Sequence, residues 1–85
     1  MKFFVVAVPN RSVDRGPIQQ EETEAVERLR NAGVIEQIFV RTDGTSSLSI
    51  LEAESEAAVR AHVESLPFYE HGAMTVEIAE VRVVF

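Results

Sequence analysis

The chain has no cysteine, and its eight basic residues are outnumbered by fourteen acidic ones. Without cysteine there are no disulfide staples and no thiolate metal sites. The shortage of basic residues leaves a net charge of -6. That balance argues against nonspecific nucleic-acid binding, which rests on Lys and Arg neutralising phosphates. It argues equally against an anionic membrane surface. No apolar run is long enough to cross a bilayer. The opening KFFVVAVP carries one positive charge and a short apolar run, and polar loop residues follow it instead of a cleavage site. It reads as a strand and not as a secretion signal. The expectation is a soluble cytoplasmic protein with neither nucleic acid nor membrane as a partner.

Eighty-five residues make one domain, 1–85. A domain this small buries only about 60% of the surface its unfolded chain exposes, and oligomerisation is the usual remedy.

Hydrophobic periodicity divides the chain into six elements. Residues 2–8 form a strand that is apolar on both faces, with Phe4, Val6 and Val8 on one and Phe3, Val5 and Ala7 on the other. Pro9 ends it. Pro17 suits the first position of a helix, where a missing N–H costs nothing. Ile18, Glu22, Ala25, Val26, Leu29 and Ala32 then recur at helical spacing, all apolar except Glu22. Gly33 stops this helix. Two strand-like runs follow, residues 34–42 and 46–53, around the hairpin signal Asp43-Gly44. A two-residue loop with Thr42 facing Thr45 places Phe39 opposite Leu48, Gln37 opposite Ile50 and Ile35 opposite Glu52. On the other side of the ribbon it places Val40 opposite Ser47, Ile38 opposite Ser49 and Glu36 opposite Leu51. Ser55 caps a second helix whose inner stripe is Val59, His62, Val63 and Leu66, and Pro67 ends it. A long final strand spans residues 74–85. Its apolar phase switches near Ala79 and Glu80, through a bulge or through a strand end that leaves the sheet.

The order β-α-β-β-α-β is that of the ferredoxin-like split βαβ fold, an α+β class. Its antiparallel sheet has four strands, the first and third central, with both helices on one face. The doubly apolar first strand then leaves a face to be covered. The side bearing Phe3, Val5 and Ala7 is expected to need a second copy of the sheet, which gives a homodimeric α+β barrel.

With these elements in place, the stretch from Gly33 through the hairpin to Glu54-Ser55, the step Ser65-Leu66-Pro67-Phe68 and the run Val76-Glu77-Ile78 resemble the muconolactone isomerase-like family of the dimeric α+β barrel superfamily. The resemblance implies a double-bond shift in a small lactone from aromatic-compound degradation, with no metal and no organic cofactor. It implies dimers or larger rings of dimers, with a small-molecule pocket between sheet and helices. Phe4 stands where the family tends to carry a histidine, and Val40 and Gln37 where it tends to carry polar, basic residues.

The candidates for proton transfer are His62 on the second helix and Glu36 in the second strand. The plainer alternatives are a satisfied core histidine and a solvent-facing glutamate. Gln37 and Arg41 are candidates for orienting a carbonyl or carboxylate. Tyr69 and His71 follow Pro67 and line a pocket mouth or simply pack a loop. Ser47 and Ser49 are small residues on a central strand and leave room for a ligand or for a close helix. Arg11 and Arg15 in the first loop either guide an acidic substrate or are simply solvated. No phosphate-binding glycine loop, Ser-His-Asp arrangement or HExxH motif is present, and His62 and His71 are too far apart to share a helical turn. The leading reading is a cofactor-independent isomerase acting on a small unsaturated lactone or carbonyl compound. The alternatives are a non-catalytic binding or assembly module, or a cofactor-free monooxygenase or dehydratase of the same fold.

Overall fold

Gly33 has a φ of +79°, a conformation that suits glycine, and there the first helix turns back toward the sheet. The computed structural model describes all residues, Met1–Phe85. Strand β1 spans Lys2–Pro9. A 3₁₀ turn, Gly16–Ile18, carries Pro17 into helix α1, Gln19–Asn31. The hairpin of β2 (Ile35–Val40) and β3 (Ser47–Glu52) follows, then helix α2, Glu56–Glu64, a one-turn helix α3, Pro67–Glu70, and β4, Met74–Val81. The four strands form one sheet in the order β2-β3-β1-β4, and all three pairings are antiparallel. This is the ferredoxin-like α+β arrangement that the periodicity predicted.

Local chemistry explains the joints. Ser55 caps α2 by accepting a hydrogen bond from the Ala58 N–H at 3.0 Å. Pro67 ends that run and opens α3. The hairpin tip is held by Asp43, whose carboxylate accepts from the Thr45 hydroxyl, the Thr45 N–H and the Arg41 guanidinium. These bonds, the Thr45 hydroxyl first, pull the Asp43 carboxyl below its ordinary pKa.

The main core lies between sheet and helices. Phe3, Val5, Ile35 and Leu51 from the strands meet Val59 and Val63 from α2. A second, smaller cluster of Ile18, Phe68 and Ala73 closes one end.

Three details differ from the sequence-based expectation. The hairpin register holds for Val40–Ser47, Ile38–Ser49, Phe39–Leu48 and Gln37–Ile50, then shifts at Glu36, so that Ile35 and not Glu36 lies opposite Leu51. A bulge there adds one residue and hands the inward position to an apolar side chain. The face of β1 under the helices is the one with Phe3 and Val5, so the uncovered face is that of Phe4, Val6 and Val8. The final strand ends at Val81, the partner of Lys2 at the start of β1, rather than at Phe85. The β1–β4 register runs without interruption through Ala79 and Glu80, so the apolar phase change reflects a chain leaving the sheet and not a bulge.

Candidate functional site

The helix-side face of the sheet does not meet the helices everywhere. Toward the hairpin end the strands carry small side chains, Ala7 on β1 and Ser47 and Ser49 on β3, and a cavity of about 250 Å³ opens there. Its walls are mostly apolar, with Val26 and Leu29 from α1, Val63 from α2 and Met74 and Val76 from β4 among them. The volume lies just below the roughly 300–1,000 Å³ of pockets for drug-sized ligands, which suits a single-ring molecule.

Two charged groups enter this apolar space, Glu22 from α1 and Arg15 from the loop before it. Glu22 is only 7% exposed and is the one buried charged residue of the chain. It sits there because it occupies the inner stripe of α1, one turn after Ile18 and one turn before Ala25 and Val26. Its Oε1 accepts a hydrogen bond from the Phe68 N–H at 2.9 Å. That N–H belongs to the first turn of α3, where a helix leaves its amides unpaired. Burial raises the Glu22 pKa above the ordinary 4.5, opposed by the Phe68 hydrogen bond and by the nearby Arg15 charge. The result is a carboxyl held in an apolar pocket with its second oxygen free of hydrogen bonds within the protein. Such a group gives and takes protons nearer neutral pH than a solvated carboxylate does. The Arg15 guanidinium lies over the Phe68 ring, 4.0 Å from its centroid.

Of the residues singled out from sequence, Ser47, Ser49 and Arg15 line the cavity. The others lie elsewhere. Glu36, the candidate base, is turned outward by the bulge and bonds Lys2 Nζ at 2.6 and 2.8 Å. His62 is half-buried on the flank of α2, where Val59 and Val63 take the inward positions; its carbonyl accepts from the Ser65 hydroxyl. Gln37 is exposed on the uncovered sheet face opposite Ile50. Arg41 is exposed and paired with Asp43 at 3.1 Å. In α3 it is Phe68 that points inward, while Tyr69 is half-buried outside the cavity lining and His71 is exposed.

Sequence reasoning missed Glu22 and Phe68 as site residues. The signal for Glu22 was present, as a carboxylate interrupting an otherwise apolar helical stripe. Nothing local marked Phe68, whose role depends on where α3 docks.

Comparison with known proteins follows the same line. The sequence model of the family described as muconolactone delta-isomerase matches residues 4–82. No curated protein matches the chain. Among solved structures, the fold is similar to 5-chloro-2-hydroxyhydroquinone dehydrochlorinase from Burkholderia phenoliruptrix AC1100, in complex with 2,5-dihydroxybenzoquinone. That similarity has a TM-score of 0.79 and 22% identity over 96% of this chain and 94% of the other. A muconolactone isomerase gives a TM-score of 0.78 and 19% identity over 95% and 88%. An antibiotic biosynthesis monooxygenase is more distant, with a TM-score of 0.55 and 15% identity over 98% and 100%.

Proposed function

The chain belongs to the muconolactone delta-isomerase family, and on that premise we propose that it moves a double bond in a small unsaturated lactone or carbonyl compound, with Glu22 as the group that carries the proton. The observation that supports this reading most is the buried Glu22 carboxyl in an apolar cavity, its pKa raised by that burial. As carboxylate, Glu22 removes a proton from a carbon activated by the carbonyl. The electrons shift into a dienolate, and the carboxyl so formed returns the proton at the far carbon. One proton leaves and one arrives, and the double bond moves between the two sites. Ser47 and Ser49 supply hydroxyl donors along the floor of the cavity, in reach of a carbonyl that gains negative charge.

The test is solvent deuterium incorporation into muconolactone, followed by NMR in D₂O. Incorporation above the uncatalysed rate supports the reading. Binding of the lactone with neither deuterium exchange nor a shift of its double bond overturns it in favour of a non-catalytic module. A dehydrochlorination begins with the same proton removal and ends with loss of chloride instead of reprotonation. The likeness to the dehydrochlorinase favours including a chlorinated hydroxyquinol in the same assay, with chloride release as its readout.

Filling the cavity gives a second check. Ser49→Leu adds a bulky apolar side chain to the floor and is expected to weaken lactone binding at least tenfold, with the melting temperature kept or raised. Equilibrium dialysis and thermal denaturation measure the two. Unchanged affinity would remove the cavity from consideration.

We also propose that the uncovered sheet face pairs with a second copy of the chain in the cytoplasm. Phe4, Val6, Val8, Leu48 and Ile50 share that face with Phe39, which is 51% exposed. A contiguous apolar patch of this kind marks an association surface. Sedimentation at micromolar concentration is expected to give a dimer or larger assembly, and Val6→Glu to give monomers. A well-folded wild-type monomer would refute it.

A further inference from the structure

The Glu22 carboxyl is held by a peptide N–H, that of Phe68 at 2.9 Å, so its placement depends on whatever holds that peptide. Phe68 stands in the middle of a relay. Its carbonyl accepts from the Ala73 N–H at 2.7 Å, and the Ala73 carbonyl accepts from the Asn10 N–H at 2.8 Å. Asn10 lies just past the end of β1. Its side chain adds a second tie beside the first, with Nδ2 donating to the Gly72 carbonyl at 2.9 Å. Gly72 and Ala73 are the turn that leads from α3 into β4. Two neighbouring bonds from one residue therefore clamp that turn to the sheet. α3 is a single turn, Pro67–Glu70. A helix so short has little stability of its own, and its seat is set from outside.

The other half of the Asn10 amide starts the first loop. Oδ1 accepts from the Ser12 N–H at 3.1 Å, and the Asn10 carbonyl accepts from the Val13 N–H at 3.1 Å. Val13 packs on the cluster of Ile18, Phe68 and Ala73. The loop then reaches Arg15, over the Phe68 ring. Asparagine suits this junction because it carries a donor and an acceptor on one short side chain, and both are used here.

We propose that Asn10 is a positioning residue for the reaction, clamping the turn after α3 so that the Phe68 N–H stays on the Glu22 carboxyl. The proposal rests on the reading of Glu22 as the proton carrier and adds what keeps it in place. The surroundings of Glu22 make the effect readable by pH. Arg15 is the other charged residue lining the cavity; the lining side chains from the sheet, α1, α2 and α3 are uncharged. The Phe68 hydrogen bond and the Arg15 charge both lower the Glu22 pKa against the effect of burial. Loosening the Asn10 junction weakens both, so the Glu22 pKa moves further up. Asn10 is itself neutral, and replacing it with Ala changes no charge.

The experiment compares wild type, Asn10→Ala and Asn10→Gln. The Glu22 carboxyl is titrated by carbon NMR, amide exchange is followed at Phe68, Val59 and Val63, and muconolactone isomerisation is measured across pH. In Asn10→Ala the Glu22 midpoint and that of kcat/KM should both rise. The Phe68 amide should exchange faster, while Val59 and Val63 keep their protection. Misplacement of a reacting group by a remote substitution leads to an expected fall in kcat of roughly tenfold, with KM within about twofold. Asn10→Gln keeps the amide donor and should recover part of each change. An unchanged Glu22 midpoint with unchanged Phe68 exchange would overturn the proposal. So would equal loss of protection at Phe68, Val59 and Val63, which makes Asn10 a support of the whole fold. Glu22→Gln separates the two readings. If it isomerises normally, the proton carrier is misassigned; the titration and amide exchange, which need no turnover, still decide whether Asn10 holds the carboxyl.

Discussion

Glu22→Gln is expected to lower double-bond isomerisation by about 10²–10⁴-fold, the usual contribution of a positioned acid–base group, and at the same time to raise the melting temperature at neutral pH. The two effects have one cause. Burial holds the Glu22 pKa above 4.5 in the folded protein, whereas the unfolded chain has the ordinary value. The folded state therefore keeps its proton to higher pH than the unfolded state. Below the ordinary value both states are protonated and no penalty exists. As pH rises through the raised folded value, stability falls, and above it the full cost of a buried carboxylate is present. Gln is the neutral isostere, and its side-chain oxygen still accepts from the Phe68 N–H. The stabilisation by Glu22→Gln should be greatest at neutral pH and vanish below about pH 4.5. Thermal denaturation of both proteins across that range measures it. In the wild type, kcat/KM should rise with pH through a midpoint above the ordinary carboxyl value, as the base is uncovered. A variant that keeps full turnover would remove Glu22 from the mechanism, and a stability difference that grows toward acid pH would contradict the direction of its pKa.

Phe3→Ala is expected to cost about 3–5 kcal/mol, the range for truncating a buried aromatic residue. Phe3 is 0% exposed and lies among Val5, Leu51 and Val59 in the main core. Domains of this kind have only about 5–15 kcal/mol of stability in total, so the variant should be largely unfolded or strongly dependent on assembly. Its neighbour Phe4 has the same side chain on the other side of the sheet, partly exposed. Phe4→Ala should cost less in unfolding of the single chain and more in association. Urea denaturation at two protein concentrations separates the two cases. A loss below about 1 kcal/mol for Phe3→Ala would mean that the core lies elsewhere.

The contrast between Phe3 and Phe4 shows how much was legible. Alternation along β1 separates the two faces without ambiguity, since adjacent side chains in a strand point opposite ways. It carries no mark of which face the helices take, and the face expected to need a partner was the one they cover. The hairpin behaved in the same way. Four of its cross-strand pairs followed from Asp43-Gly44, and the register failed only at Glu36, where a bulge intervenes. A bulge answers to packing across the sheet, here the need to bury Ile35 against Leu51, and leaves little trace in a single strand.

The site repeats the lesson at longer range. Ser47 and Ser49 were legible because small residues on a central strand leave space whatever packs above them. Glu22 was visible as an anomaly in a helical stripe, while attention went to Glu36 and His62, whose types suit the chemistry but whose positions do not.

The order of elements, the turns at Gly33 and Asp43-Gly44, the Ser55 cap and the family are properties of the sequence itself, because each rests on residues close together in the chain or on a motif pattern. The site was decided by tertiary structure. Glu22 becomes a buried, hydrogen-bonded carboxyl only when the N–H of Phe68, 46 residues away, arrives to hold it. Arg15 faces the cavity over the ring of that same residue. Desolvation and charge act through space, so the raised Glu22 pKa follows from how α3 docks against α1, and no local pattern encodes that distance.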